Sequence, residues 1–247
     1  LSSAGLVWKH FGREILAAHL GVAESDPRID TLYTKMYDDF VEAIDAIDNG
    51  IPMYPGAAGP PAYRSRTDLS SRVAHLGPRW NQESNDAILL ERFRAASRMA
   101  GTEFFERVDD AVESWFPARD IVRAALEART RFDGADARGR IVLFERAVNW
   151  KGHIYQLETE LGVPDADKPL YVVYPDEGGR WRVQAVPVDP ESFESRRALP
   201  EPWRGVRDEQ LSTVTGIPGC IFTHVSGFIG GNETRDGALE MARRALE

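Results

Sequence analysis

Leu170-Tyr171-Val172-Val173-Tyr174, followed after Pro175-Asp176-Glu177-Gly178-Gly179-Arg180 by Trp181-Arg182-Val183-Gln184-Ala185-Val186, decides the class of fold. The first run is apolar and rich in residues that suit strands, and the second alternates apolar with polar side chains, the period of a strand covered on one face. Glu177-Gly178-Gly179 supplies the turn, so the two runs predict an antiparallel hairpin. Ile141-Val142-Leu143-Phe144 upstream and Gly219 to Val225 downstream predict further strands, and Leu239, Met241, Ala242 and Leu246 give Asp236 to Leu246 the period of a closing helix. Residues 135–247 therefore predict an α+β domain with a mixed sheet.

Upstream of the polar stretch Phe132-Asp133-Gly134-Ala135-Asp136, the natural linker, the period is helical. Residues 3–20, Asp30 to Asp48, Leu69 to Leu76, Ser84 to Trp115 and Ala118 to Arg129 predict helices, with Pro117 in the first turn of the last. Asn49-Gly50-Ile51-Pro52 ends the second of them, and a Pro/Gly-rich loop runs from Met53 to Pro61. The expected organisation is thus α/β overall, with a helical domain over 1–134 and an α+β domain over 135–247. The first residues, Leu1-Ser2-Ser3, lead straight into an amphipathic run, which reads as a chain cut at a helix boundary.

A formal charge of −9 argues against a protein that coats nucleic acid by bulk electrostatics, while leaving room for a local basic groove. Only four of the thirty basic residues are lysines; an arginine-rich set suits bidentate phosphate recognition, and a general composition bias gives the same count. Arg64, Arg66 and Arg72, with Tyr63 beside them, are either a nucleic-acid groove with a stacking aromatic or solvated loop residues. The lone Cys220 sits in an apolar run and reads as a buried thiol of a reducing, cytoplasmic compartment, and nothing marks the chain for a membrane or for export. Trp203 lies in a rigid Pro-bounded loop and reads as packing, and His10, His19, His75 and His153 have no metal-ligand spacing.

Two segments carry candidate chemistry. Asp45 and Asp48 stand three apart at the C-terminal end of a helix, the unfavourable end of its dipole for carboxylates, which a hard divalent cation offsets. From spacing alone a pair of solvated acids, like Asp38 and Asp39 on the same helix, is the better reading by a wide margin. His224-Val225-Ser226-Gly227-Phe228-Ile229-Gly230-Gly231-Asn232-Glu233-Thr234-Arg235 is glycine-rich and reads as the turn between a strand and a helix. There Gly227, Gly230 and Gly231 let backbone N–H groups approach an anion, Thr234 caps the helix, and His224 and Arg235 reach a phosphate. The alternative is a tight turn that needs glycine for its backbone alone.

LSSAGLVWKHFG (1–12), MYDDFVEAIDAIDNG (36–50), WRVQAVP (181–187), LPEPWRGVRD (199–208) and GIPGCIFTHVSGFIGGNETR (216–235) together resemble the MYG exonuclease (melanocyte proliferating gene) family, of the DHH-type phosphoesterase class. The resemblance runs nearly end to end. It implies the helical remainder of a DHH catalytic domain followed by a substrate-binding domain, divalent metal (manganese, with magnesium as the alternative), and hydrolysis of phosphodiesters in RNA or a short oligonucleotide from the 3′ end. It also implies that Asp48 is a metal ligand with Asp45 beside it, and that His224, Gly227, Gly230, Gly231, Thr234 and Arg235 grip the substrate. No Asp-His-His triplet occurs in the sequence. The resemblance therefore places the main metal motifs upstream of Leu1, and the expectation is an active full-length enzyme with an inactive fragment. The rival expectation is a non-catalytic nucleotide- or RNA-binding module or an interaction domain.

Overall fold

The computed structural model describes residues 1–54 and 65–247. Tyr63, Arg64 and most of the Pro/Gly-rich loop lie outside the described residues. The chain divides into two compact units, Leu1–Glu113 and Ser114–Glu247.

In the first unit, α1 spans Ser3–Leu20, α2 Pro27–Met36, α3 Glu42–Asp48, α4 Leu69–His75 and α5 Asp86–Asp110. The Ser2 hydroxyl accepts the Gly5 N–H at 3.2 Å to open α1, and Gly21, at φ +65, closes it. Asp26 caps α2, with Pro27 in the first turn where its missing N–H costs nothing. A widened π turn, Tyr37–Val41, joins α2 to α3 without a break, so the helix expected over Asp30 to Asp48 begins a few residues earlier and bulges in its middle. Trp8 of α1 stacks on Tyr33 of α2 at 5.1 Å and meets Phe104 of α5 edge-on at 5.7 Å, over a core that includes Leu16, Ile29, Leu32, Met36 and Val108.

The second unit contains a five-stranded mixed sheet in the order β1-β2-β3-β5-β4: β1 Ile141–Leu143, β2 Tyr171–Pro175, β3 Trp181–Ala185, β4 Cys220–Thr223 and β5 Ile229–Asn232. The β2–β3 hairpin pairs Tyr171 with Ala185 and Pro175 with Trp181, as the alternation predicts, and Gly179 supplies the left-handed residue of its turn at φ +77. β1 runs parallel to β2, joined through α7, Lys151–Glu160; the other neighbours are antiparallel. One face of the sheet, with Val142 and Val172, is covered by α6 (Phe116–Ala128) and α7 through Val122, Leu126, Ile154 and Leu157. The other face, with Tyr171, Val173 and Val183, packs under α8 (Asp208–Thr215) and α9 (Arg235–Arg244) through Leu211, Leu239, Met241 and Ala242.

α6 belongs to the second unit because its apolar stripe completes that core. The sequence puts the division at 134 instead. There, Phe132 packs against the core of the second unit and Asp136 pairs with Arg140 at 2.9 Å, so the stretch that reads as a linker is folded into this unit. Trp203 and Cys220 are buried in the same core, as packing residues. Among the described residues no helix is long and apolar enough to cross a membrane.

Candidate functional site: the end of α3 and the β5 glycines

Asp45 and Asp48 occupy adjacent positions on one helix and have different surroundings. Asp45 is buried. Its carboxylate accepts the backbone N–H of Ser2, the hydroxyl of Tyr37 at 3.2 Å and the side-chain amide of Asn49 at 3.2 Å. The Ser2 N–H, and behind it the Tyr37 hydroxyl, hold the Asp45 carboxyl below its ordinary value of 3.8 despite burial. The π turn places Tyr37 eight residues before its partner, and Gly5 lets α1 come close enough: a Cβ there would lie 2.6 Å from the Asp45 carboxylate. Asp45 therefore clamps the start of α1 to the end of α3, with both oxygens already engaged.

Asp48 is exposed, in the last turn of α3. Beyond it the helix closes with the Ile51 N–H donating to the Ala46 carbonyl at 2.9 Å and Gly50 at φ +69. Its neighbours Ile47 and Ile51 are exposed too, as are Leu6, Val7 and Phe11 on α1. Asp48 is thus free to take a cation at the negative end of a helix. The described residues do not complete a metal centre: no three His, Cys, Asp or Glu side chains among them converge as ligands. Asp48 fits a ligand's position, Asp45 fits a positioning role behind it, and a two-cation centre needs more donors than these.

The glycine-rich segment differs from its expected form. Residues 224–228 are the turn of a β4–β5 hairpin, closed by the His224 N–H donating to the Ile229 carbonyl at 2.9 Å, and Gly230 and Gly231 lie inside β5. β5 pairs with β3 on one side and β4 on the other, so its backbone N–H groups serve the sheet instead of a cradle for an anion. The two glycines have separate reasons. A Cβ on Gly230 would meet Leu199 and Met241 at 3.1 to 3.2 Å on the core side, and one on Gly231 would meet the Arg182 guanidinium at 2.3 Å on the opposite face. Arg182 lies beside that glycine, paired with Asp176 and 5.3 Å from the Phe222 ring centroid. No local pattern in the sequence marks Arg182; it emerges only from the β3–β5 register.

Gly227, at φ +73, is a turn residue fitted against the loop at Leu199–Arg204: its carbonyl accepts the Leu199 N–H at 2.8 Å, and a Cβ would meet Arg204 at 2.8 Å. His224 is exposed, edge-on to Phe228 at 4.7 Å, and its Nδ1 accepts the Ser226 N–H at 3.2 Å. Thr234 caps α9 as expected, accepting the Gly237 N–H at 3.1 Å, while buried Asn232 accepts the Thr234 N–H at 2.9 Å. Arg235 reaches Glu145 and Asp236, each at 3.4 Å. Hairpin turn and helix start lie at opposite ends of β5, roughly 15 Å apart at about 3.3 Å per residue, so His224 and Arg235 do not share one cavity.

Compared with known proteins, the chain matches over residues 1–246 the family model MYG1_exonuc, described as "Uncharacterised protein family (UPF0160)". The chain belongs to this family. A MYG1 exonuclease of Mus musculus is 51% identical over 247 residues, covering 100% of this chain and 63% of the relative. The MYG1 exonuclease of Homo sapiens is 50% identical over the same length with 63% of its own chain covered, and a MYG1 protein of Schizosaccharomyces pombe is 48% identical over 252 residues with 74% covered. The chain thus spans about 63% of the length of the mouse and human MYG1 relatives. No solved structure matches it.

Proposed function

We propose that this chain works as part of a metal-dependent phosphodiester hydrolase of the DHH type, an exonuclease that trims RNA from the 3′ end with manganese or magnesium. The observation that carries the reading is the similarity over 100% of the chain, at 50 to 51% identity, to two relatives named exonucleases. Asp48 supports it: an exposed carboxylate at a helix C-terminus, one turn after a carboxylate whose pKa is held down by hydrogen bonds, is a suitable ligand for a hard cation. The cation would lower the pKa of a bound water and neutralise charge on the phosphate. Asp45 would keep the end of α3 in register through Ser2 and Tyr37, and Asp48 would contribute one donor among several.

A second reading has its own observation. Both Asp45 oxygens are already taken by hydrogen bonds, which favours a structural clamp and leaves the 247-residue chain as a nucleic-acid-binding module without turnover of its own. Manganese-dependent hydrolysis of 3′-labelled RNA, measured for the full-length protein and for the chain of residues 1–247, separates the two. The proposal expects turnover by the former and none by the latter. Absence of turnover in both, with RNA binding intact, selects the module.

A further inference from the structure

We propose that the groove between α4 and α5 is a binding track for the sugar-phosphate backbone of single-stranded nucleic acid; the choice of that polyanion rests on the hydrolase reading above. Arg66, Arg72 and His75, with the hydroxyl groups of Thr67 and Ser71, line an open cavity of about 850 Å³ floored by Met99. Met99 and Arg72 also line a second cavity of about 480 Å³, which Arg98 and Thr102 border, so the two adjoin along one trough-like face.

Charge decides what the trough attracts. Glu103 is shared by Arg72 at 2.7 Å and Arg107 at 3.2 Å, one carboxylate between two guanidinium groups. Arg66, His75 and Arg98 form no ion pair among the described residues; Glu106 lies at the rim, and Asp68 stands behind Ser71, whose hydroxyl it accepts at 2.7 Å. Three arginines against two glutamates leave the lining net positive in a chain whose formal charge is −9. Three guanidinium groups on one lining, with the Thr67 hydroxyl beside them, suit the phosphates of an extended strand, and the Met99 thioether suits the apolar side of a sugar or base. Arg98 joins Arg66 and Arg72 only because α4 packs on α5, which sequence spacing does not reveal.

The test uses exposed residues, so folding is preserved. Fluorescein-labelled single-stranded RNA of 2 to 12 nucleotides is titrated into the wild-type chain, into Arg66→Gln/Arg98→Gln, and into a control, Arg92→Gln/Arg94→Gln, which removes the same charge from α5 outside the trough. Melting curves verify that all three are folded. For the 12-mer the trough variant is expected to bind about 10-fold more weakly, with a salt dependence shallower by about 1.4, two phosphate contacts at about 0.7 each. The control should stay within about 2-fold of wild type. Equal losses in trough and control variants, no loss in the trough variant, no binding by wild type, or equal binding of an oligoglutamate of matching charge would each overturn the proposal. Hydrolysis is not part of this readout: a trough that binds in a full-length protein without turnover leaves this inference standing and removes the hydrolase.

Discussion

Gly5 and Asp45 depend on each other. A side chain at Gly5 would meet the Asp45 carboxylate at 2.6 Å, and without the approach of α1 the carboxylate would lose the Ser2 N–H. Gly5→Val is therefore expected to destabilise the first unit by about 1–3 kcal/mol, the usual cost of overpacking a close contact, seen as a lower unfolding midpoint in urea. The pH dependence has a definite sign. The Asp45 carboxyl is held below 3.8 when folded and returns to about that value when unfolded, so its contribution is complete above about pH 5 and is lost as pH falls through the folded value. Asp45→Asn should flatten the acid limb of the stability curve; an unchanged acid limb would mean the clamp is not an ionised carboxylate. Gly231 gives a second test at this scale. Gly231→Val should cost about 1–3 kcal/mol because it displaces Arg182, with RNA affinity of the remaining folded protein unchanged. A loss of affinity without a loss of stability would return the glycines to an anion-binding role.

At the scale of elements, the buried pair between Glu158 of α7 and Arg196 distinguishes itself from the ion pairs on the surface. Glu158 is 2% exposed and receives two guanidinium N–H groups at 2.6 and 2.8 Å, with Arg196 also donating to the Pro169 carbonyl at 3.0 Å. Glu158→Ala should cost about 3–5 kcal/mol, since it strands a partly buried cation, whereas Asp30→Ala on the exposed Arg13–Asp30 pair should cost under about 1 kcal/mol in the same urea titration. Most elements were legible in the sequence where the period was strong: the β2–β3 hairpin, the long helices and the closing helix fall where alternation and 3.6-residue spacing put them. β5 was not, because Ile229-Gly230-Gly231-Asn232 has the composition of a loop; its strand character comes from β3 and β4 pairing on either side and from the close approach of Met241 and Arg182. α8 was hidden for a related reason, since only Leu211 and Thr215 of its residues are buried and no apolar period shows. At the candidate site, the sequence singles out the end of α3 and the Thr234 cap, while the division of labour between Asp45 and Asp48 depends on where α1 lies, which no local pattern encodes.

At the scale of the whole molecule, one helical unit carries Asp48 and a second, mixed-sheet unit carries the β5 glycines, in a family whose mouse and human members are named exonucleases. The described residues bring no third ligand to Asp48, so the chain of residues 1–247 is expected to lack metal-dependent hydrolysis when assayed alone. The most direct test of the central claim is the rate of RNA hydrolysis by the full-length protein in manganese, wild type against Asp48→Asn, with RNA affinity measured beside it. If Asp48 is a metal ligand, the rate falls beyond the roughly 10–100-fold typical of an outer-shell partner, with affinity and melting temperature preserved. An Asp48→Asn enzyme that hydrolyses RNA at the wild-type rate would contradict it.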